Sequence, residues 1–245
     1  MTHAALPPHA SRALRTDGFV VLPGPCSLAE LALLQRAYDD ACADASPEDA
    51  RVGRSSTRVT DFVNRGAVFE PVYTFPPVLE AARLVVGGRF RLSAFHARTL
   101  HPGAAAQELH VDVPRTSDAW PMLGVIFMVD EFRPDNGATR FVPGSHRSIE
   151  LPEDVLADRV ASHPAEVGAC GPAGSMILFD ASTWHGHSAN RSRGARRSLQ
   201  ATFIPYAARP ATDFVARMTQ DMLARLAPSV REILGVEPGS AAPTP

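Results

Sequence analysis

Short apolar runs separated by turn-forming residues occupy the middle of this 245-residue chain, and they limit the folds open to it. Runs of this length, bounded by glycine, proline or asparagine, are typical of β-strands. Because helical patterns do not alternate with them, they favour a sandwich or barrel over a doubly wound sheet. The predicted strands are residues 90–100, 109–113, 123–129, 139–142, 175–179 and 199–204.

Helical patterns flank this β-rich region. Residues 27–42 carry apolar side chains at spacings of three and four, with Ser27 placed as the cap. A second helix is predicted over residues 77–86, ended by Gly87, and the segment at residues 212–234 is again helical.

The remaining segments carry no regular pattern. Residues 45–58 are polar and are expected to form a mobile stretch, and residues 238–245 form a small-residue tail that is expected to fray. With no internal repeat and no dividing linker, we expect one domain over residues 1–245, with its β core at about 90–205.

Composition excludes several classes of function. The formal net charge of −2 gives no field that would attract nucleic acid or an anionic membrane. The three cysteines are widely spaced, which argues against a disulfide framework or a CxxC zinc site and favours a reducing compartment. No run approaches the roughly 18 apolar residues of a membrane span. We therefore expect a cytoplasmic protein, as a monomer or homodimer, that acts on a small molecule.

Candidate metal ligands lie in an H-x-D set formed by His110 and Asp112. In the predicted strand 109–113, these two side chains point to the same face. His185 follows the predicted strand 175–179, and it completes the set if that strand returns beside the first. Two histidines and one carboxylate leave coordination positions open, which suits iron(II) oxygenases, whereas structural zinc takes four protein ligands.

Two further segments support this interpretation. Residues 130–146 read DEFRPDNGATRFVPGSH, and residues 174–198 read GSMILFDASTWHGHSANRSRGARRS. With the H-x-D set, they resemble the phytanoyl-CoA dioxygenase family of iron(II)- and 2-oxoglutarate-dependent oxygenases. The hallmarks of that family are H-x-D, NG-x(2)-R-x(2)-PGSH, WHGS-x(2)-N and a downstream arginine. The resemblance covers about residues 90–205.

The resemblance implies a mainly β fold, a double-stranded β-helix of the jelly-roll, cupin-like type with helices outside. It also implies Fe(II), 2-oxoglutarate and O2 as cofactor and co-substrates, and His110, Asp112 and His185 as metal ligands and catalytic centre. One position departs from the family pattern: His187 stands where relatives often have serine, and in an extended segment it shares a face with His185.

Co-substrate residues also follow from the resemblance. The family's arginine lies eleven residues after the distal histidine, which is Arg196 here, and its planar fork matches the far carboxylate of 2-oxoglutarate. The adjacent Arg197 is the rival and faces the opposite way in a strand. Thr139 is the expected hydroxyl partner, and Arg98 is expected to pair with a carboxylate in the same pocket. Candidate substrate contacts are Gln107, Trp120 and His187.

The reaction implied is oxidation of a small organic metabolite, with formation of succinate and CO2. Related halogenases replace the ligating carboxylate with a small residue, so the intact Asp112 favours hydroxylation, desaturation or ring closure. Two alternatives remain: a cupin-like isomerase or dioxygenase that does not use 2-oxoglutarate, and a non-catalytic protein with a vestigial site. The first has no need for Arg196, and the second is disfavoured by the complete set of metal ligands.

Overall fold

Helices surround a β-rich centre in the computed structural model, which describes residues 5–116 and 120–236. In these ranges, none of the helices combines the length and hydrophobicity that a bilayer crossing needs. The predicted tail at 238–245 lies outside the described residues. The helices are α1 (Pro8–Thr16), α2 (Leu28–Ala43), α3 (Glu70–Thr74), α4 (Pro76–Val86), α5 (Pro152–Val155), α6 (Phe214–Arg217), α7 (Gln220–Arg225) and α8 (Pro228–Leu234).

The strands form two antiparallel sheets. The major sheet has seven strands in the order β1-β8-β5-β10-β4-β3-β2, and the minor sheet has three in the order β7-β6-β9. The strands are β1 (Phe19–Pro23), β2 (Ala50–Val52), β3 (Ser56–Val59), β4 (Phe90–Leu100), β5 (Leu123–Met128), β6 (Thr139–Phe141), β7 (Val167–Ala169), β8 (Ser175–Asp180), β9 (His185–His187) and β10 (Arg196–Pro205).

The predicted fold class is confirmed. The two sheets and their outer helices form a jelly-roll arrangement. Five of the six predicted strands are present with small changes at their ends, and β4 matches its prediction at both ends. Helix α2 begins after Ser27, whose hydroxyl oxygen accepts from the Glu30 N–H while the Glu30 carboxylate accepts from the Ser27 N–H. This capping box satisfies two groups that the helix leaves unpaired.

The predicted strand at 109–113 is wrong. Only His110 forms a β-bridge there, with His185. The N–H groups of Asp112 and Val113 both donate to the Ala181 carbonyl, at 2.9 and 3.3 Å, so no regular ladder can continue. The argument from strand alternation therefore does not apply to the H-x-D set, although its two side chains still converge.

The segment at 212–234 is helical as predicted, and it is divided into the three short helices α6, α7 and α8. The Thr219 hydroxyl caps a new helix by accepting from the Met222 N–H. Pro228 occupies the first turn of α8 and keeps Ala227 extended, with ψ of 151°. Proline disfavours a helical conformation in the residue before it. The backbone helix is therefore broken here, although the helical spacing of apolar residues continues through the segment.

The segment at 45–58 contains order that the sequence analysis missed. Strands β2 and β3 form a hairpin, and β3 pairs with the long strand β4. Strand β1 was missed as well, and it pairs with β8 at the opposite edge of the major sheet. The hairpin at one edge and β1 at the other are therefore held by β4 and β8, strands distant from them in sequence, which local patterns do not reveal.

An aromatic cluster joins the helices to the back of the major sheet. The Phe62 ring is fully buried, and its centroid lies 5.7 Å from that of Tyr38, 4.9 Å from that of Phe69 and 6.3 Å from that of Phe95. The Tyr38 hydroxyl is 2.9 Å from the Thr99 hydroxyl on β4, so this polar group is satisfied inside the core. The cluster holds α2 against the strand that faces the site on its other side.

We predict that Phe62→Ala destabilises the protein by about 3–5 kcal/mol, because it leaves a cavity among three aromatic rings. Urea unfolding followed by circular dichroism measures this. The matched control is Leu33→Ala in α2, where the side chain is 53% exposed and the expected change is within about 0.5 kcal/mol. Equal losses in the two variants would contradict the packing described for Phe62.

Candidate metal centre

Two histidines meet where the minor sheet faces the loop after β4. The His110 N–H donates to the His185 carbonyl, and the His185 N–H donates to the His110 carbonyl, both at 2.9 Å. This reciprocal pair fixes the two backbones side by side. The imidazole centroids consequently lie 4.3 Å apart.

The third group is the carboxylate of Asp112. One of its oxygens lies 3.7 Å from His110 Nε2, and the other lies 3.6 Å from His185 Nε2. One ligand atom from each residue can be chosen so that all three lie within 4.8 Å of one another. The structure therefore brings together the three predicted metal ligands, with nitrogen and oxygen atoms that suit a divalent transition metal.

Hydrogen bonds to backbone carbonyls set the tautomer of both imidazoles. His110 Nδ1 is 3.0 Å from the Glu108 carbonyl, and His185 Nδ1 is 2.9 Å from the Thr183 carbonyl. A carbonyl only accepts, so each Nδ1 carries the hydrogen and each Nε2 presents a lone pair toward Asp112. Burial lowers the pKa of His185, which favours the neutral form that binds metal.

His187 does not belong to this cluster. It lies two residues along β9, opposite Thr139 in the minor sheet, and its Nδ1 is 3.0 Å from the Ser188 carbonyl. Burial lowers its pKa to about 4, so the ring is neutral. Of the two candidate histidines, the geometry groups His185 with the other ligands and leaves His187 as a wall of the adjoining cavity.

A cavity of about 310 Å³ opens from the cluster along the inner face of the major sheet. Trp120 is not part of its lining. That indole is half exposed and lines a separate surface cavity of about 580 Å³, so the fold does not support its predicted role as a substrate contact. The other predicted site residues all line the cavity, namely Arg98, Gln107, Thr139, His187 and Arg196.

Arg196 is 98% buried, and its guanidinium group is available for a ligand. Within the described residues, its Nε and Nη1 atoms have no hydrogen-bond partner, and the group lies 4.1 Å from the centre of the Phe132 ring. Burial, with the nearby charge of Arg98, lowers its pKa to about 9, so the group remains protonated at neutral pH. A buried cation with unpaired donors is costly unless a bound anion completes it.

Arg197 has a different environment. Its guanidinium group donates to both oxygens of Asp130, at 3.0 and 2.7 Å, and to Asp39 at 2.7 Å. These bonds point it to the outer face of β10, as strand alternation requires for a neighbour of Arg196. The structure thus separates the two candidates, with only Arg196 in the cavity.

Arg140 holds the loop that carries the first metal ligand, a role the sequence analysis did not assign. It is buried in β6, and it donates at 2.9 Å to the carbonyls of Gln107, Arg159 and Ala161 and to the Glu166 carboxylate. Its position in the NG-x(2)-R motif was the available signal. One guanidinium fork therefore ties two loops to the strand of the co-substrate candidate Thr139.

Three further cavity residues were missed or ranked low. His96 and Gln200 face each other across β4 and β10 with 3.0 Å between Nε2 and Oε1, and burial lowers the pKa of His96 to about 3. Both line the cavity, as does Arg58 from β3. Arg58 gave no signal in the sequence because its strand was not predicted.

Comparisons with known proteins agree on family and fold. A family model described as Phytanoyl-CoA dioxygenase (PhyH) matches residues 14–198. Dioxygenase af480 of Aspergillus fumigatus is 25% identical over 240 residues, which cover 91% of this chain and 75% of that protein. Dioxygenase trt7 of Aspergillus terreus is 29% identical over 223 residues, which cover 81% of this chain and 73% of that protein.

Solved structures of low sequence identity share the fold. HygX from Streptomyces hygroscopicus, with nickel and 2-oxoglutarate bound, has a TM-score of 0.69 at 17% identity, covering 84% of this chain and 90% of its own. EctD from S. alaskensis, with bound Fe, has a TM-score of 0.69 at 21% identity, covering 86% and 82%. Because the family model spans most of the chain, this protein belongs to the phytanoyl-CoA dioxygenase family and is a non-haem iron- and 2-oxoglutarate-dependent dioxygenase.

Proposed function

We propose that this protein hydroxylates a small organic metabolite. The reaction would take place in a site that binds iron(II) and 2-oxoglutarate side by side. The observation that carries the proposal is the shared cavity. The three ligand atoms of His110, Asp112 and His185 converge at one end, and the unpaired guanidinium group of Arg196 lies in the same lining.

Iron(II) would be held by the two Nε2 atoms and the carboxylate of the cluster. The hydrogen bonds from both Nδ1 atoms to backbone carbonyls keep the rings oriented for this task. Three protein ligands leave open positions for a co-substrate and dioxygen, as in other sites of this composition.

2-Oxoglutarate would place its far carboxylate on Arg196. Within the described residues, both Nε and Nη1 lack partners, so this buried cation has donors free for the oxygens of a carboxylate. Thr139 supplies a hydroxyl in the same cavity, and Arg98 supplies a second positive charge. The donor set fits a dicarboxylate because the metal ligands and two arginines share one cavity.

Together, the metal, 2-oxoglutarate and dioxygen supply the oxidising chemistry and yield succinate and CO2. The chain's own part is to bind, orient and keep water away. Met122, Ile126 and Phe179 give the cavity an apolar wall, and Gly124 gives no side chain to fill it. A Cβ atom at Gly124 would lie 2.2 Å from the Phe179 ring, so this close approach requires glycine.

Hydroxylation and a role in natural-product metabolism are supported by the ligand set and by similarity to solved structures. Asp112 supplies a carboxylate to the cluster, so the ligand position that a halogenase vacates for its halide is filled here. Among solved structures of similar fold, one is HygX with hygromycin B bound, and another is the carbocyclase SnoK from nogalamycin biosynthesis. The first is thus a complex with a small molecule, and the second belongs to the biosynthesis of one.

We predict that Asp112→Ala weakens iron(II) binding by about a hundredfold or more, because it removes the only anionic ligand of the cluster. Anaerobic calorimetric titration with iron(II) measures the affinity. His187→Gln is the matched control, since this ring lines the cavity outside the cluster and iron affinity should remain near that of the unmodified protein. Loss of iron affinity in the His187 variant as well would make His187 a ligand, and unchanged affinity in the Asp112 variant would contradict the cluster.

We predict that Arg196→Ala weakens 2-oxoglutarate binding by about a hundredfold or more, because two charge-assisted hydrogen bonds are lost. Calorimetric titration of the iron-loaded protein measures this, and iron affinity should not change. Arg197→Ala is the neighbouring control. This variant loses the hydrogen bonds to Asp130 and Asp39, but its affinity for 2-oxoglutarate should be retained. Unchanged 2-oxoglutarate affinity in the Arg196 variant would favour the cupin-like alternative.

A further inference from the structure

Three arginines form a row across one edge of the major sheet. Arg51 on β2 lies directly opposite Arg58 on β3, and Arg58 lies directly opposite Arg98 on β4. Residues directly opposite one another in antiparallel strands present their side chains on the same face. We call these three residues the arginine row.

Among the described residues, the arginine row forms no ion pair with a carboxylate. Across residues 5–116 and 120–236, no Asp or Glu oxygen lies within 4.0 Å of any of its guanidinium nitrogens. By contrast, Arg140 and Arg197 each form close ion pairs. Like charges directly opposite in a sheet are destabilising, so the row works against folding stability. Unpaired like charges are expected at functional sites, where a bound ligand supplies the opposite charge.

The row leads from solvent toward the candidate metal centre. Arg51 and Arg58 are exposed, and Arg98 is partly buried. Arg58 and Arg98 both line the cavity that contains Asp112. Burial is the largest cause that lowers the pKa of Arg98, and the positive charge of Arg58 lowers it further. The negative charge of Asp112 raises this pKa. The positive charge is therefore continuous between the entrance and the metal ligands.

Charge counting shows a surplus that the proposed cofactor and co-substrate do not remove. The cavity lining holds three arginines and one aspartate, which leaves a net charge of +2 when its histidines are neutral. Iron(II) adds two positive charges and 2-oxoglutarate adds two negative charges, so the surplus is the same after both bind. Arg196 and Arg98 are assigned to the co-substrate, which leaves Arg58 without an anion.

We propose that the substrate carries an oxyanion, a carboxylate or a phosphate, and that Arg58 binds it at the entrance of the cavity while Arg51 attracts it from solvent. This inference rests on the proposed function, since it assigns the substrate class of the same site. A guanidinium fork matches either oxyanion in two places at once. Attraction by exposed arginines falls with ionic strength.

The rest of the cavity agrees with a substrate that has an anionic end and a largely apolar body. His96 and Gln200 bond to each other beside Arg98 and contribute neutral polar groups. Ile126 on β5 lies directly opposite Gln200 on β10, and it is the first residue of the apolar wall. An anionic group at Arg58 would leave the carbon skeleton to extend along this wall toward the metal ligands.

Matched pairs of small molecules test the proposal without knowledge of the natural substrate. The protein is loaded anaerobically with iron(II) and 2-oxoglutarate, and benzoate, benzamide, phenyl phosphate and phenol are titrated by calorimetry. We expect one of the two anions to bind about tenfold or more tightly than its neutral counterpart, with an affinity that falls as salt is added. The stronger anion identifies the carboxylate or the phosphate class.

Variants assign the effect to the arginine row. Arg58→Gln should reduce the affinity for the preferred anion to that of its neutral counterpart and leave 2-oxoglutarate affinity unchanged, and Arg58→Lys should restore part of it. Arg54→Gln is the matched control, because it removes one positive charge from the turn of the same hairpin and not from the row. This variant should bind the anion normally.

Three results would overturn the proposal: equal binding of anions and neutral counterparts, unchanged anion affinity in Arg58→Gln, or a loss of 2-oxoglutarate affinity in that variant. Failure of the proposed function is recognised separately, at the loading step, as absence of 2-oxoglutarate binding to the iron-loaded protein. The anion titration is then made on the metal-free protein, in which the arginine row is unchanged.

Discussion

The reciprocal backbone hydrogen bonds between His110 and His185 are the interaction on which the site depends. Each residue donates to and accepts from the other, and this single bridge joins a loop to the edge of the minor sheet. It brings two imidazoles from positions 75 residues apart in the sequence to a centroid distance of 4.3 Å. The carboxylate of Asp112 then needs only two further residues of chain to reach both rings.

Arginines without protein partners are the basis of the anion binding that we propose for the site. The fold satisfies Arg140 with four protein acceptors, and it satisfies Arg197 with two carboxylates. In the described residues it leaves Arg196 with two unpaired nitrogens and Arg58 with no carboxylate partner. The arginines that build the structure and the arginines that await ligands are thus distinguished by their partners. The unsatisfied donors lower stability in the free protein and raise affinity for a bound anion.

Much of the sheet could be predicted from sequence because its signals are local. Strand β4 is a long β-type run, and α2 begins at a capping box, so their limits depend on neighbouring residues. The three candidate metal ligands and Arg196 were predicted through motif spacing, and the structure brings them to one cavity. Alternation along β10 requires Arg196 and Arg197 to face opposite ways, but it cannot say which faces inward, because that depends on packing against distant strands.

The remaining features depend on long-range pairing and backbone breaks. The hairpin of β2 and β3 is ordered by pairing with β4, so Arg58 gained its place in the cavity from a contact 40 residues along the chain. The segment around Asp112 is a loop fixed by the Ala181 carbonyl, which no alternating pattern indicates. Pro228 divided a periodic segment that otherwise reads as one helix.

Anaerobic visible absorption of the iron-loaded protein tests the central claim most directly. If the three ligands leave adjacent positions open beside Arg196, addition of 2-oxoglutarate should produce the weak charge-transfer band of a bidentate keto-acid complex, saturating at one equivalent per chain. Succinate, which lacks the keto group, should produce none. Saturating 2-oxoglutarate without any such band, in protein shown to contain iron(II), would contradict the account.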